Sequence, residues 1–260
     1  MKVSIIGGGN MGGAIARGLA ESGILQPEQI TVINRREVKT RQMKAYNPKI
    51  NAVTGDYSSL ATADIVVIAV KPWMVQALAE EHLAKCPNNG QIIVSVAAGI
   101  PLSDLEAWAG LGKTIVCAIP NTAAEVRQSM TFISGIHVDD AQKESVLRLF
   151  QAIGQAEWIE ERLLGPATVL CSCGIAFAFR YIRAAMEGGV EMGLYPQAAK
   201  QGILQTLRGA IELLEQHDSH PEQEIDKVTT PGGLTIKGLN EMEHAGFTSA
   251  VIRGLKASNS

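Results

Sequence analysis

The stretch Ser4-Ile5-Ile6-Gly7-Gly8-Gly9-Asn10-Met11-Gly12-Gly13 carries an apolar strand through G-x-G-x-x-G into a helix. In this pattern Gly7 permits a tight turn, Gly9 lets the backbone approach a pyrophosphate, and Gly12 allows close helix–strand packing. The helix start at Asn10 and Met11 aims N–H groups at the anion. The spacing alone is weak. The β-rich entry and amphipathic exit on its two sides are the context that gives it meaning. The chain is therefore expected to open with a dinucleotide-binding, doubly wound α/β domain.

About 20 residues further on, the next strand ends in Asn34-Arg35-Arg36. An acid at this place binds the ribose 2′-hydroxyl of NAD, whereas arginine accommodates the 2′-phosphate of NADP. Asn-Arg-Arg without an acid favours NADP(H), with some use of NAD(H) left open. The alternative is that the two arginines are simply a solvated helix entry.

Length and composition bound the rest. At 260 residues two domains are expected. A hydrophobic share of 46% provides a sizeable core, and a net charge of -3 argues against a nucleic-acid surface. Lys2 is followed at once by a short strand and glycines, which predicts no signal peptide and a cytoplasmic location. Cys86, Cys117, Cys171 and Cys173 are too few and too unevenly spaced for a disulfide scaffold, and no histidine completes a metal set around Cys171-Ser172-Cys173. They are expected to be free thiols, with no metal. The apolar run from Gly165 to Phe179 falls short of the roughly 20 residues of a membrane span, so no membrane is expected.

Up to residue 160, short apolar strands alternate with helical patterns, as in a parallel sheet. Strands are predicted at Val3–Ile6, Ile30–Asn34, Asn51–Val53, Ile65–Val70, Gln91–Val96, Thr114–Ala118 and Thr131–His137, with helices between them up to Ala141–Ile153. Strand signals then vanish. Three long helical patterns follow, Ala167–Met192, Pro196–His217 and Leu234–Glu243. The domains are accordingly placed at 1–160, a Rossmann-type sheet, and 161–260, an all-helical domain. Helices so apolar in so short a domain predict pairing with a second chain.

Ligands in such a sheet lie beyond the carboxyl ends of the strands. Ala69-Val70-Lys71-Pro72, Ser95-Val96-Ala97-Ala98-Gly99 and Ile119-Pro120-Asn121-Thr122 end three of them. The first two border a ribose and nicotinamide, Lys71 offers positive charge, and Asn121 can orient a carboxamide or substrate. Each can equally be a plain strand end. Far from these, Thr229-Thr230-Pro231-Gly232-Gly233-Leu234-Thr235 is a P-G-G turn opening a helix, a ready carboxylate site. The Thr235 hydroxyl either caps that helix or bonds a substrate nitrogen.

In combination these motifs resemble the pyrroline-5-carboxylate reductases over nearly the whole chain. The carriers are Gly7 to Gly12, Ala69 to Pro72, Ser95 to Gly99, Pro120-Asn121-Thr122, and Asp226 to Ile236. The resemblance implies NAD(P)H-dependent reduction of L-1-pyrroline-5-carboxylate to L-proline, the last step of proline biosynthesis. It also implies a Rossmann domain joined to a helical dimerisation domain, in homodimers that often assemble further, up to decamers. By it the backbone N–H groups of Gly232, Gly233 and Leu234 hold the substrate carboxylate, Thr230 lines that pocket, and Thr235 contacts the imine nitrogen. Asp56 stands where an asparagine often contacts the adenosine. The chain departs from the family in Cys171-Ser172-Cys173-Gly174-Ile175, usually Ser-Gly-Ser-Gly-Pro, and in Phe177, usually tyrosine. Further departures are Ala123, Arg127, Ser129 and Gly165-Pro166. A reductase of a related cyclic imine or keto acid, or a non-catalytic NADP-binding paralogue, is the alternative. The β-hydroxyacid dehydrogenases share the early glycines, but Lys200 and Lys227 lie in no matching helix motif.

Overall fold

The computed structural model describes residues 1–86 and 90–259. The chain forms two compact units, Met1–Cys173 and Gly174–Ser260. The first is built on strands β1 (Val3–Ile6), β2 (Ile30–Asn34), β3 (Asn51–Thr54), β4 (Ile65–Ile68), β5 (Ile92–Ser95), β6 (Thr114–Ile119), β7 (Ser129–Ile136) and β8 (Gly154–Trp158). They form one sheet in the order β3-β2-β1-β4-β5-β6-β7-β8. Pairing is parallel throughout except between β6 and β7. The order reverses between β1 and β4, and that switch point is where the glycine loop emerges.

The strands bury both faces because their apolar runs are continuous. Ile5, Val32, Val67 and Val94 point to one side, where α1 (Asn10–Glu21) supplies Ile15 and Leu19 and a later helix supplies Phe150. Their chain neighbours Ile6, Ile33, Ile68 and Ile93 point to the other, against Val75, Leu83 and Leu105. Burial of each such side chain is worth about 1.5–3 kcal/mol. The remaining helices of this unit are α2 (Glu37–Tyr46), α3 (Val75–Leu78, continued by a π turn Ala79–Leu83), α4 (Leu102–Ala109), α5 (Asp140–Gln151) and α6 (Leu164–Ala167, continued by a π turn Thr168–Cys173).

Strand β8 was not expected from sequence. Gly154-Gln155-Ala156-Glu157-Trp158 alternates half-buried and exposed positions, the signature of a strand with one wet face. It lies at the sheet edge, where an apolar run is not required. The predicted strand at residues 65–70 stops at Ile68, because Ala69 begins the loop against the glycine turn.

The second unit comprises α7 (Gly174–Glu191), α8 (Pro196–His217), α9 (Pro221–Val228), α10 (Leu234–His244) and α11 (Phe247–Ala257). Five helices thus stand where three were expected. α9 and α11 are short, and α9 carries a mostly polar sequence. Gly193, at φ +98°, ends α7, and Pro196 opens α8 as its position predicts. A Cβ on Gly189 would come within 3.3 Å of the Ala199 Cβ, so this glycine sets the close approach of α7 and α8. Gly189 and Ala199 are the buried residues of those two helices, while α9, α10 and α11 bury none. Among the described residues one helical run, Glu161–Glu191, is long and apolar enough by length and composition to cross a membrane, at mean hydropathy 1.5. The run is longer than the Gly165–Phe179 stretch read from sequence, since the helix continues past Arg180.

Candidate active site

The nucleotide half lies in the first unit, on the C-terminal edge of the parallel strands. Gly7 follows β1 with φ +103°, and a Cβ there would stand 2.6 Å from the Ala69 carbonyl oxygen. A Cβ on Gly12 would overlap the Gly7 carbonyl oxygen and meet the Ala69 Cβ at 2.8 Å. Beside Gly9, by contrast, nothing lies within 4 Å of that position. The loop is packed tight on its inner side and open at Gly9. Gly9 is also the N-cap of α1 with no side-chain cap bond, and α1 has no acid in its first turn. The Asn10 and Met11 end of the helix is left electropositive toward that space.

Asn34 closes β2 and is 3% exposed. Its Oδ1 accepts the Gly8 N–H at 2.9 Å, its main-chain oxygen accepts the Gly55 N–H at 2.9 Å, and its buried Nδ2 has no partner among the described residues. A buried unpaired amide costs about 1–3 kcal/mol. Here it is a spare donor at the place where a ribose hydroxyl is read. Arg35 and Arg36 are exposed, and so is Asp56 just past β3. The Asp56 carboxyl is held below the ordinary carboxylate range by bonds from Ser58, chiefly its N–H at 2.9 Å. Glu37, next in line, is turned away: Thr54 donates to it at 2.9 Å and Arg41 at 3.3 Å, which also lowers its pKa. The open space at Gly9, the orphan donor on Asn34 and the two exposed cations fit a phosphorylated dinucleotide.

The neighbouring loops contribute Ala69 and Val70, half-buried, then exposed Lys71 and Pro72. Ala97, after β5, is buried and donates its N–H to Ser95 Oγ at 3.3 Å. Trp73, at the lip, is 78% exposed, with the Lys71 ammonium 6.0 Å from its ring centroid. Sequence reading passed over it. An aromatic directly after the Lys-Pro strand end was the available signal.

Asn121 is anchored on three sides. It is buried, its N–H donates to Ser129 Oγ at 2.9 Å, its Oδ1 accepts from Ala123 N at 2.9 Å, and its Nδ2 donates to the Cys171 carbonyl at 3.2 Å. Both ends of the carboxamide are anchored inside the protein, and each keeps one further position, a second N–H on Nδ2 and a second lone pair on Oδ1. The Cys171 thiol is half-buried and its pKa raised by that burial, which leaves it neutral and a weak hydrogen-bond partner.

The carboxylate turn lies in the second unit. Gly232 takes φ +70°, and Gly233 is the N-cap of α10 without a side-chain cap bond. A Cβ on Gly233 would sit 2.5 Å from Thr230 Oγ1, so glycine is needed beside that threonine. The Gly233 N–H donates to the Thr230 carbonyl at 2.9 Å and is not free for an anion, which corrects one of the three expected donors. Leu234 and Thr235 open the helix, where N–H groups have no intrahelical acceptor. Thr235 is exposed and does not cap the helix, and its hydroxyl makes no bond among the described residues. Among the described residues no cluster suits a metal ion, and all four cysteines are free.

Comparison with known proteins matches the two halves separately and the chain as a whole. Residues 161–260 match the pyrroline-5-carboxylate reductase dimerisation domain, and residues 2–99 match the coenzyme F420-dependent NADP oxidoreductases. Pyrroline-5-carboxylate reductase 2 of Dictyostelium discoideum is 37% identical over 98% of this chain and 90% of its own length. The chain belongs to the pyrroline-5-carboxylate reductase family. Reductase 1 of the same organism is also 37% identical, and this chain spans 48% of that longer protein. A Plasmodium falciparum pyrroline carboxylate reductase, solved with NADP bound, superposes with a TM-score of 0.90 at 26% identity, covering 100% of this chain and 95% of that one. The fold class, the NADP-dependent oxidoreductase class and the family resemblance all stand on these matches.

Proposed function

We propose that this protein reduces L-1-pyrroline-5-carboxylate to L-proline. The observation that carries the reading is the α10 turn. It is a glycine-built helix start with unspent N–H groups and an unspent threonine hydroxyl, in a chain whose relatives are named for this reaction. Leu234 and Thr235 N–H groups, with Gly232, hold the substrate carboxylate at the positive helix end. Thr230 flanks them. The Thr235 hydroxyl donates to the imine nitrogen, so that positive character builds on the ring carbon and the nitrogen can take up its proton. NADPH, when bound, supplies the hydride. The task left to the protein is to fix the imine in line with that donor and exclude water.

The working form we propose is a homodimer or a larger assembly. Support comes from the match of residues 161–260 to a dimerisation domain and from the three helices in which no residue is fully buried in a single chain. Phe179 and Ile211 are 60% and 55% exposed, more than a folded monomer readily tolerates. The cytoplasm is the proposed compartment, in keeping with four unbridged thiols.

Steady-state NADPH oxidation with pyrroline-5-carboxylate, its six-membered homologue and simple keto acids tests the assignment. Turnover is expected with the first. The Thr235→Val variant is expected to lose roughly 10²-fold in kcat/KM, in the range for a lost proton donor. Rapid turnover of another substrate with none of pyrroline-5-carboxylate would overturn the reading.

A further inference from the structure

The loop of residues 96–101 joins β5 to α4 on the same sheet edge as the glycine loop. In the order β3-β2-β1-β4-β5, the end of β2 reads the adenosine ribose and the loop after β1 holds the pyrophosphate. The other half of a dinucleotide therefore runs over the ends of β4 and β5. The tip of the loop, Ala98-Gly99, is exposed there. Gly99 takes φ +77°, and nothing lies within 4 Å of a Cβ placed on it. Such a tip presents bare backbone to a ligand.

The two ends of this loop are held in different ways. At its start the chain still follows the sheet: the Val96 N–H donates to the Ile68 carbonyl at 3.0 Å, and the Ala97 N–H to Ser95 Oγ at 3.3 Å. At its far end Pro101 is the N-cap of α4 without a side-chain cap bond, so the first N–H groups of the helix need an acceptor from elsewhere. Glu161 supplies one. Its Oε1 accepts the Leu102 N–H at 2.7 Å, from a segment 59 residues later that follows β8 within the same compact unit. The bond is charge-assisted, and the carboxylate faces the positive end of the helix. Beside it the Cys117 thiol donates to the Ile100 carbonyl at 3.7 Å. Burial, with the Glu161 charge adding to it, pushes that thiol up to about 12, which keeps its proton on sulfur for the bond.

We propose that Glu161 is a positioning residue for the nicotinamide half of the cofactor. Without touching the cofactor, it caps α4, fixes the far end of the loop and so sets the place of the Ala98-Gly99 tip. The inference rests on the NADP(H) part of the reading above and not on the identity of the substrate.

Two variants separate reach from charge. Glu161→Asp keeps the charge and shortens the side chain by one methylene, which withdraws it from the Leu102 N–H. Glu161→Gln loses the charge and keeps an oxygen within reach. Glu161 is exposed, so neither change opens a hole in the core. Dissociation constants are measured on the full-length protein for NADPH and for adenosine 2′,5′-bisphosphate, which carries the adenosine half alone. Peptide-resolved amide hydrogen exchange over residues 96–104 accompanies them. Glu161→Asp is expected to speed exchange in that segment and to weaken NADPH by about fivefold, the equivalent of one hydrogen bond, with the bisphosphate held within about twofold. Glu161→Gln is expected to stay within about twofold of the parent protein for both ligands. The ratio of the two affinities is a readout that a general loss of stability does not move. Equal weakening of both ligands in Glu161→Asp would overturn the proposal, in favour of a general effect on the domain. Parental NADPH affinity or parental exchange in Glu161→Asp would also overturn it. So would a loss in Glu161→Gln as large as that in Glu161→Asp, because an acceptor within reach would then not suffice. A parent protein that binds no NADPH would remove the cofactor reading, and the exchange measurement alone would then decide whether Glu161 holds the loop.

Discussion

Arg127 holds its backbone in the left-handed region, at φ 59°, and donates from Nη1 to the main-chain carbonyl of Glu21 at 3.0 Å. The conformation favours glycine and costs a side-chain-bearing residue about 1 kcal/mol or more. The return is a cation at the C-terminus of α1, whose own last turn contains no basic residue. Arg127→Ala keeps the strained backbone and loses the bond, so it is expected to destabilise by about 1–2 kcal/mol. Arg127→Gly relieves the strain as it loses the bond, and is expected to fall within about 0.5 kcal/mol of the parent protein. Urea unfolding of the two variants side by side gives the comparison. Equal destabilisation in both would mean that the backbone stores no strain.

Cofactor choice depends on Asn34, Arg35 and Arg36 in different ways. The two arginines are exposed and suit a 2′-phosphate, so replacing both by serine is expected to weaken NADPH by about tenfold or more, as for lost charge-assisted bonds, and NADH by less than about twofold. Asn34→Asp differs because the site is buried. Oδ1 can still hold Gly8, but the orphan donor becomes a second oxygen, and the charge faces an anionic ligand. Both cofactors are expected to weaken, NADPH more. Fluorescence titration with each nucleotide, at two ionic strengths, separates these outcomes. A gain in NADH affinity from Asn34→Asp would show that this side chain reads the ribose freely.

These contrasts also show where sequence was legible. The glycine loop and the P-G-G turn are short-range patterns, in which each residue's conformation follows from its own backbone demand, and Gly7 and Gly232 take the positive φ that their spacing implies. Strand β8 escaped because an edge strand needs only alternating burial, and residues 154–158 offer few apolar side chains. The anchoring of Asn121 was invisible for another reason: the Ser129 hydroxyl that accepts its main-chain N–H and the Cys171 carbonyl that accepts from its Nδ2 are brought to it by the sheet and by the π turn, not by sequence proximity. The N–H of Gly233 was misread on a finer scale, since a turn that frees donors for a ligand also consumes one to close itself.

Glu224 gives the second unit a pH signature. Hydrogen bonds from Lys227, at 2.7 Å, and from Ser219, at 2.6 Å, lower its pKa to about 2 from an ordinary value of 4.5. The folded value lies below the unfolded one, so the stabilisation is complete above the ordinary value and is lost as pH falls from there through about 2. Glu224→Gln is expected to lower the thermal midpoint at neutral pH. Its deficit should shrink steadily through the acid range and vanish near the lower limit. A deficit independent of pH would assign the effect to packing rather than to the charge.

Two glycines of the nucleotide loop make a final pair of opposite predictions. At Gly12 a methyl group would overlap the Gly7 carbonyl oxygen, a backbone atom that cannot move without shifting the loop. Gly12→Ala is therefore expected to cost about 1–3 kcal/mol of stability, the range for overpacking, and to lower the thermal midpoint before any ligand is added. At Gly9 the methyl group meets nothing within 4 Å, and the residue's φ of -75° suits alanine. Gly9→Ala is expected to fold with an unchanged midpoint and yet to bind NADPH at least about tenfold more weakly, because the methyl occupies the space through which a pyrophosphate approaches the backbone. Thermal unfolding with and without NADPH distinguishes the two. Gly12→Ala lowers both curves, whereas Gly9→Ala loses only the upward shift that the nucleotide produces. Full retention of that shift in Gly9→Ala would remove the glycine loop from the binding site.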